Sequence, residues 1–173
     1  MLVKLISDAR KIVIKIGSNT LAKSDGKINT AFMEELAEQV SAMMKRGKQV
    51  AIVSSGAQVA GLSTMGKWVR KRDIHYRQAL CAVGQVELMG AWRRAFETQG
   101  RHIAQILLTQ DDFGDPIRTL NMRNTLFTLV DEGIVPIINE NDTISVEEIK
   151  IGDNDTLAAQ SAILWSADLL ILF

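Results

Sequence analysis

The chain has 173 residues, within the range of one domain, and a compact domain of about 150 residues buries roughly 70% of its unfolded surface. Twenty Lys and Arg balance twenty Asp and Glu, so no global field draws in nucleic acid or an anionic membrane surface, and any anion must be held by local groups. The one cysteine, Cys81, excludes an internal disulfide and a cysteine-based zinc site; its apolar neighbours, the lack of a signal-peptide pattern and of any run near 20 apolar residues lead us to expect a cytoplasmic protein.

Strand-like and helix-like runs alternate along the whole length. "KIVIKIG" (11–17), "QVAIVSS" (49–55), "HIAQILLT" (102–109), "IVPIIN" (134–139) and "DLLILF" (168–173) are short and apolar without alternation, as strands covered on both faces are. Between them, residues 28–47 place Phe32, Leu36, Val40 and Met43 or Met44 at helical spacing and close with Gly47. Residues 86–100 repeat the device with Gly100, and residues 118–133 with Gly133. A helix ending in Gly with a strand one or two residues on is the mark of βαβ units. The expected fold class is therefore α/β, a mainly parallel sheet with helices on both faces. "SVEEIKIGDND" (145–155) alternates over its first half and is predicted to form a small β-hairpin arm outside the sheet. The buried-strand pattern of "DLLILF" reaches Phe173, so a continuation or a second segment is expected to cover that edge.

In open α/β sheets, ligands bind beyond the carboxyl ends of the strands, so chemistry is expected at those ends. The first offers Lys15, Gly17, Ser18 and Asn19, read either as a structural glycine turn or as a phosphate seat built from backbone amides and an ammonium. Neither GxxxxGK[ST] nor GxGxxG is present. The second offers Ser54-Ser55-Gly56-Ala57 running into a helix, either an ordinary serine N-cap or an anion seat. The fourth gives Asn139-Glu140-Asn141-Asp142, and Gly152-Asp153-Asn154-Asp155 precedes the last helix. These two acidic-amide clusters are read as the polar walls of a small-molecule pocket. Asp142 and Asn154 would face a cationic ammonium, with Asp155 near Lys15, and helix N-capping is the alternative for Asn154 and Asp155. Met43, Met44, Leu88 and Met89 read as core, His75 and His102 as structural, and "KWVRKR" (67–72) as a solvated loop face.

The ordered set "IKIGSN", "VSSGA", "CAVGQ", "LLTQDDF", "RNTL", "IVPIINEND" and "EIKIGDND" resembles the amino acid kinase family. Within it, the resemblance is to the branch that phosphorylates the side-chain carboxylate of glutamate at the opening of proline biosynthesis, and it covers essentially all 173 residues. It implies a three-layer αβα sandwich with ATP as co-substrate and Mg²⁺ beside it. It also implies L-glutamate as substrate, proline as a feedback inhibitor, a homo-oligomer, and no nucleic-acid or membrane partner. Position by position, it implies that Lys15 and Gly17 contact ATP phosphates, that Ser55, Asp142 and Asn154 bind glutamate, and that Asp155 orients the catalytic lysines. It further implies a Thr-Asp or Ser-Asp pair after the "ADLLIL" strand, opening the nucleotide site. On this reading, residues 1–173 are one amino acid kinase domain incomplete at its C-terminus, expected to be inactive alone.

Overall fold

The computed structural model describes residues 2–66, 70, 72–145 and 154–173. Five strands, β1 (Lys11–Ile16), β2 (Gln49–Ser54), β3 (Ile103–Leu108), β4 (Val135–Glu140) and β5 (Leu169–Leu172), form one sheet in the order β3-β4-β2-β1-β5, with every described pairing parallel. Helices α1 (Leu2–Asp8), α2 (Ser18–Leu21), α3 (Thr30–Lys45), α4 (Ala57–Met65), α5 (Ile74–Glu97), α6 (Pro116–Asp131) and α7 (Asp155–Trp165) surround it, with a 3-10 turn at Gln110–Gly114.

The two-residue period of the strands divides the core in two. Ile12, Ile14 and Ile16 join Val50, Ile52, Val135 and Ile137 in a layer with Met33 and Leu36 of α3, Ala57 of α4, and Leu88, Trp92 and Phe96 of α5. Val13, Ala51, Val53 and Ile138 pack instead with Leu126 and Val130 of α6 and Leu157 and Trp165 of α7. The result is a three-layer αβα sandwich. Because the sheet is parallel, Lys15, Ser54, Asn139 and Leu172 all arrive at one end of it.

Local chemistry explains the helix limits. Asp73 accepts from the amides of His75 and Tyr76, so α5 begins well before the predicted 86 and takes "CAVGQ" into the helix. In α3, Met33 is fully buried and Phe32 only packs against the core from its margin; the sequence placed Phe32 on the inner face. Gly47, Gly100 and Gly133 have φ of 79°, 67° and 71°, the left-handed C-terminal stops the sequence expected. Residues 146–153, most of the predicted hairpin arm, and 67–69 and 71 of "KWVRKR" lie outside the described residues.

Helices α4 and α5 touch backbone to backbone. A Cβ on Gly84 would lie 1.8 Å from the Ala57 carbonyl oxygen, and one on Gly61 would lie 1.9 Å from that of Leu80. Any side chain at either position drives the helices apart, and with them the start of α4 behind Ser55. Trp92 Nε1 donates to Ser54 Oγ at 2.9 Å, tying α5 to the end of β2. Strand β5 is a sheet edge whose Leu169, Leu170 and Ile171 are half-buried while Leu172 and Phe173 are 55% and 54% exposed.

Candidate active site

Lys15 occupies the penultimate position of β1 and is buried. Its Nζ lies 2.6 Å from Asp155 Oδ1, and a buried ammonium is tolerable only with such a counter-charge. Asp155 is the first residue of α7, where the helix dipole favours a carboxylate. Gly17 follows two residues later, just past the end of β1, with φ of −74°, so its role is clearance: a Cβ would lie 3.3 Å from the Phe173 oxygen and 3.5 Å from Lys15 Nζ. Its amide, read from the sequence among the phosphate donors, donates to the Phe173 oxygen at 2.9 Å. That N–H is committed to the sheet, which leaves Gly17 to keep space beside the ammonium.

At the ends of β2 and β4, polar side chains replace the apolar strand positions. Ser55 donates its amide to the Ile16 oxygen at 3.0 Å, which sets it beside Gly17. It does not cap α4: Gly56 holds the N-cap position with φ of 101°, a left-handed turn that favours glycine, and no side chain caps the helix. The Ser55 Oγ is buried without a partner among the described residues. Asn154 likewise stands at the N-cap of α7 without a side-chain cap bond. Its Nδ2 instead donates to Asn139 Oδ1 at 2.8 Å, leaving its buried Oδ1 without a partner among the described residues. Asn139 Nδ2 in turn donates to Gln85 Oε1 at 2.9 Å.

Asp142 lies two residues beyond β4, 6% exposed, with Oδ1 unpartnered among the described residues. Gln78 Nε2 donates to its backbone oxygen at 3.1 Å. Burial, followed by repulsion from Glu140, raises the Asp142 carboxyl from an ordinary 3.8 to about 7, against the hydrogen bond from Cys81 and the charge of Arg77. Glu140 accepts from Ser145 Oγ. Cys81, Gln85, Glu140 and Asp142 line a cleft of about 20 Å³, room for about one water. A carboxyl kept costly to ionise at the edge of a cleft is suited to receiving a cationic group.

The structure thus gathers the sequence-derived residues at one sheet end. Lys15 pairs with Asp155, the neighbour of Asn154; Asn154 bonds Asn139 of β4, the strand that leads into Asp142; Ser55 lies against the end of β1. Sequence reasoning assigned no role to Gln85 and read Asn139 only as part of a polar pocket wall. The signal for Gln85 was available, since it falls on the buried stripe of α5 with Cys81, Leu88 and Trp92, where a polar residue is out of place. Among the described residues no three His, Cys, Asp or Glu side chains gather as a metal cage.

The model of the amino acid kinase family matches residues 10–173. The chain is 65% identical to the glutamate 5-kinase of Alkaliphilus metalliredigens over 173 residues, covering 100% of this chain and 66% of that protein. It is 63% identical to that of Alkaliphilus oremlandii over 99% of this chain and 65% of that protein, and 50% identical to that of Thermotoga maritima over 94% and 46%. It therefore spans at most about two thirds of these relatives. A UMP kinase from Ureaplasma parvum shares the fold with a TM-score of 0.60 at 16% identity, over 95% of this chain and 68% of that one. On the family match, which leaves out only the first nine residues, the chain belongs to the amino acid kinase family.

Proposed function

We propose that residues 1–173 supply the amino-acid-binding part of an amino acid kinase domain that phosphorylates the side-chain carboxylate of L-glutamate, using ATP, to give glutamyl 5-phosphate for proline biosynthesis. One observation carries this reading: Ser55 Oγ, Asp142 Oδ1 and Asn154 Oδ1 are all buried at one sheet end with no partner among the described residues. Leaving such atoms unmatched costs about 1–3 kcal/mol each, which is best explained if a ligand satisfies them. The names of the relatives support glutamate as that ligand.

The roles follow from charge and geometry. Asp142 and Asn154 both offer oxygens, so they receive the α-ammonium. Ser55 offers a hydroxyl, which can donate to a carboxylate. Lys15, held by Asp155, neutralises charge on the phosphate. A glutamate carboxylate is ionised at neutral pH, so its oxygen attacks the γ-phosphorus directly; the new O–P bond forms as the bond to the β-phosphate oxygen breaks, and ADP departs. No general base is needed, and positioning with electrostatic stabilisation supplies the rate. Mg²⁺ would accompany the ATP phosphates and neutralise their charge. Proline shares the carboxylate and cationic nitrogen of glutamate and is read as a feedback inhibitor at Asp142. The active assembly is read as a cytoplasmic homo-oligomer; none of the described helices is long and apolar enough to cross a membrane.

The test is calorimetric titration of L-glutamate, N-acetyl-L-glutamate and ATP, with ATP-dependent γ-glutamyl hydroxamate formation by the full natural protein. Glutamate should bind and turn over while the acetylated form, lacking the ammonium, does neither. Equal binding of both amino acids would overturn the role of Asp142.

A further inference from the structure

Three buried amides form a chain whose direction can be fixed. Asn139 Oδ1 accepts from the backbone N–H of Glu140 at 2.9 Å, and a backbone amide is always a donor. The exchange of O and N that usually leaves a side-chain amide ambiguous is thereby excluded for Asn139. Its Nδ2 must be the donor toward Gln85, which therefore presents Oε1 (2.9 Å), and its Oδ1 must accept from Asn154, which therefore presents Nδ2 (2.8 Å). The remaining atoms follow by elimination. Asn154 is left with its oxygen as a buried acceptor, and Gln85 with its nitrogen as a buried donor, both unpartnered among the described residues. Asn154 and Asn139 are 1% and 0% exposed and Gln85 is 9% exposed, so water does not readily reorient them.

We propose that Gln85 is a substrate-positioning residue acting through Asn139: by accepting from Asn139 it holds the amide chain so that Asn154 presents an acceptor, selecting a donor group such as the ammonium of an amino acid. The proposal rests on the reading of this site as an amino-acid pocket, and it adds how the pocket is made to recognise a cation with a neutral side chain. Asn154 serves better here than an aspartate. A carboxylate at 154 would place a second oxygen against Asn139 Oδ1, where the chain requires a donor. Asn154→Asp should therefore weaken glutamate binding although it adds attraction for the ammonium.

The decisive experiment is a double-mutant cycle on L-glutamate affinity with Gln85→Met, which keeps the length of the side chain and removes both polar atoms, and Asn154→Ala. Gln85→Met should lower glutamate affinity roughly tenfold when Asn154 is present and less than about threefold when residue 154 is Ala, with the Michaelis constant for ATP unchanged. The same fold-change in both backgrounds, or tighter glutamate binding by Asn154→Asp, would overturn it. A ligand-free readout separates this proposal from the functional reading: in ¹H–¹⁵N spectra, Gln85→Met should shift the side-chain NH₂ signals of both Asn139 and Asn154. If those signals move but glutamate does not bind the parent protein, the amide chain stands and the substrate assignment falls. Unmoved Asn154 signals in a folded Gln85→Met variant would refute the chain itself.

Discussion

The two ends of the sheet differ in how they hold their charged groups. At the amino ends of the strands these are paired with backbone: Asp168 Oδ2 accepts from the amides of Arg10 and Lys11 at 2.8 Å each, and Lys48 Nζ donates to the oxygens of Ser7 and Ala9 at 2.8 and 2.6 Å, while Arg101 Nε and Trp165 Nε1 have no partner among the described residues. At the carboxyl ends, Ser55, Gln85, Asp142 and Asn154 each bury an atom with no partner among the described residues. Both ends close the same five strands, so sheet geometry alone does not account for the difference. On the proposed function, the paired charges of the amino end contribute to stability, and the carboxyl end gives up stability so that its atoms remain available to a ligand.

Four substitutions or conditions sharpen this contrast, from the largest effect downward. Lys15→Ala in the full natural protein should lower hydroxamate turnover on the order of 10²-fold or more, by analogy with loss of one electrostatic stabiliser. A change confined to the Michaelis constant for ATP would reduce Lys15 to a binding group. Asp142→Ala should weaken glutamate binding by about 1.5–3 kcal/mol, or roughly 10- to 150-fold, the worth of a charge-assisted contact, and leave ATP binding intact. Equal losses for both ligands in calorimetry would contradict that role.

The third concerns pH. The Asp142 carboxyl is raised to about 7, and an ammonium binds its ionised form. Glutamate affinity should thus fall by up to about tenfold per unit below pH 7 and level off above it, with proton release on binding seen as a buffer-dependent enthalpy. A flat profile from pH 5.5 to 8 in the parent protein would remove Asp142 from the contact. The smallest effect belongs to the amino end. Two backbone amides hold Asp168 below the ordinary carboxylate value, so its contribution to stability is present above pH 3.8 and is lost as pH falls through the lowered value. Asp168→Ala should reduce the melting temperature at pH 7 without altering glutamate affinity; a change in affinity would show that the ends are coupled.

Much of this was legible in the sequence because it depends on local rules. Unbroken apolar runs mark buried parallel strands, and Gly47, Gly100 and Gly133 mark helix ends that only glycine adopts easily. The clusters at 139–142 and 152–155 drew attention to the sheet end where Asn139, Asp142, Asn154 and Asp155 lie, because short carboxylates and amides at a strand end have few structural uses. The early start of α5 was missed because its signal is the single cap at Asp73, ahead of a polar first turn. The Ser55 N-cap reading failed because Gly56, with its left-handed φ, is the residue that turns the chain into α4. The amide chain could not be read at all, since Gln85 and Asn139 are 54 residues apart and only the packing of α5 on β4 brings them together.

The central claim, that the carboxyl end of the sheet gives up stability for ligand binding, is tested most directly by thermal melting of Asp142→Asn at pH 8 with and without L-glutamate. A carboxyl raised to about 7 stabilises the fold below pH 3.8 and loses that contribution as pH rises through 7, so at pH 8 the parent bears the full cost of a buried charge and the amide does not. The variant should melt above the parent without ligand and show no upward shift with glutamate, while the parent does shift. A variant that melts below the parent and keeps its glutamate-induced shift would contradict it.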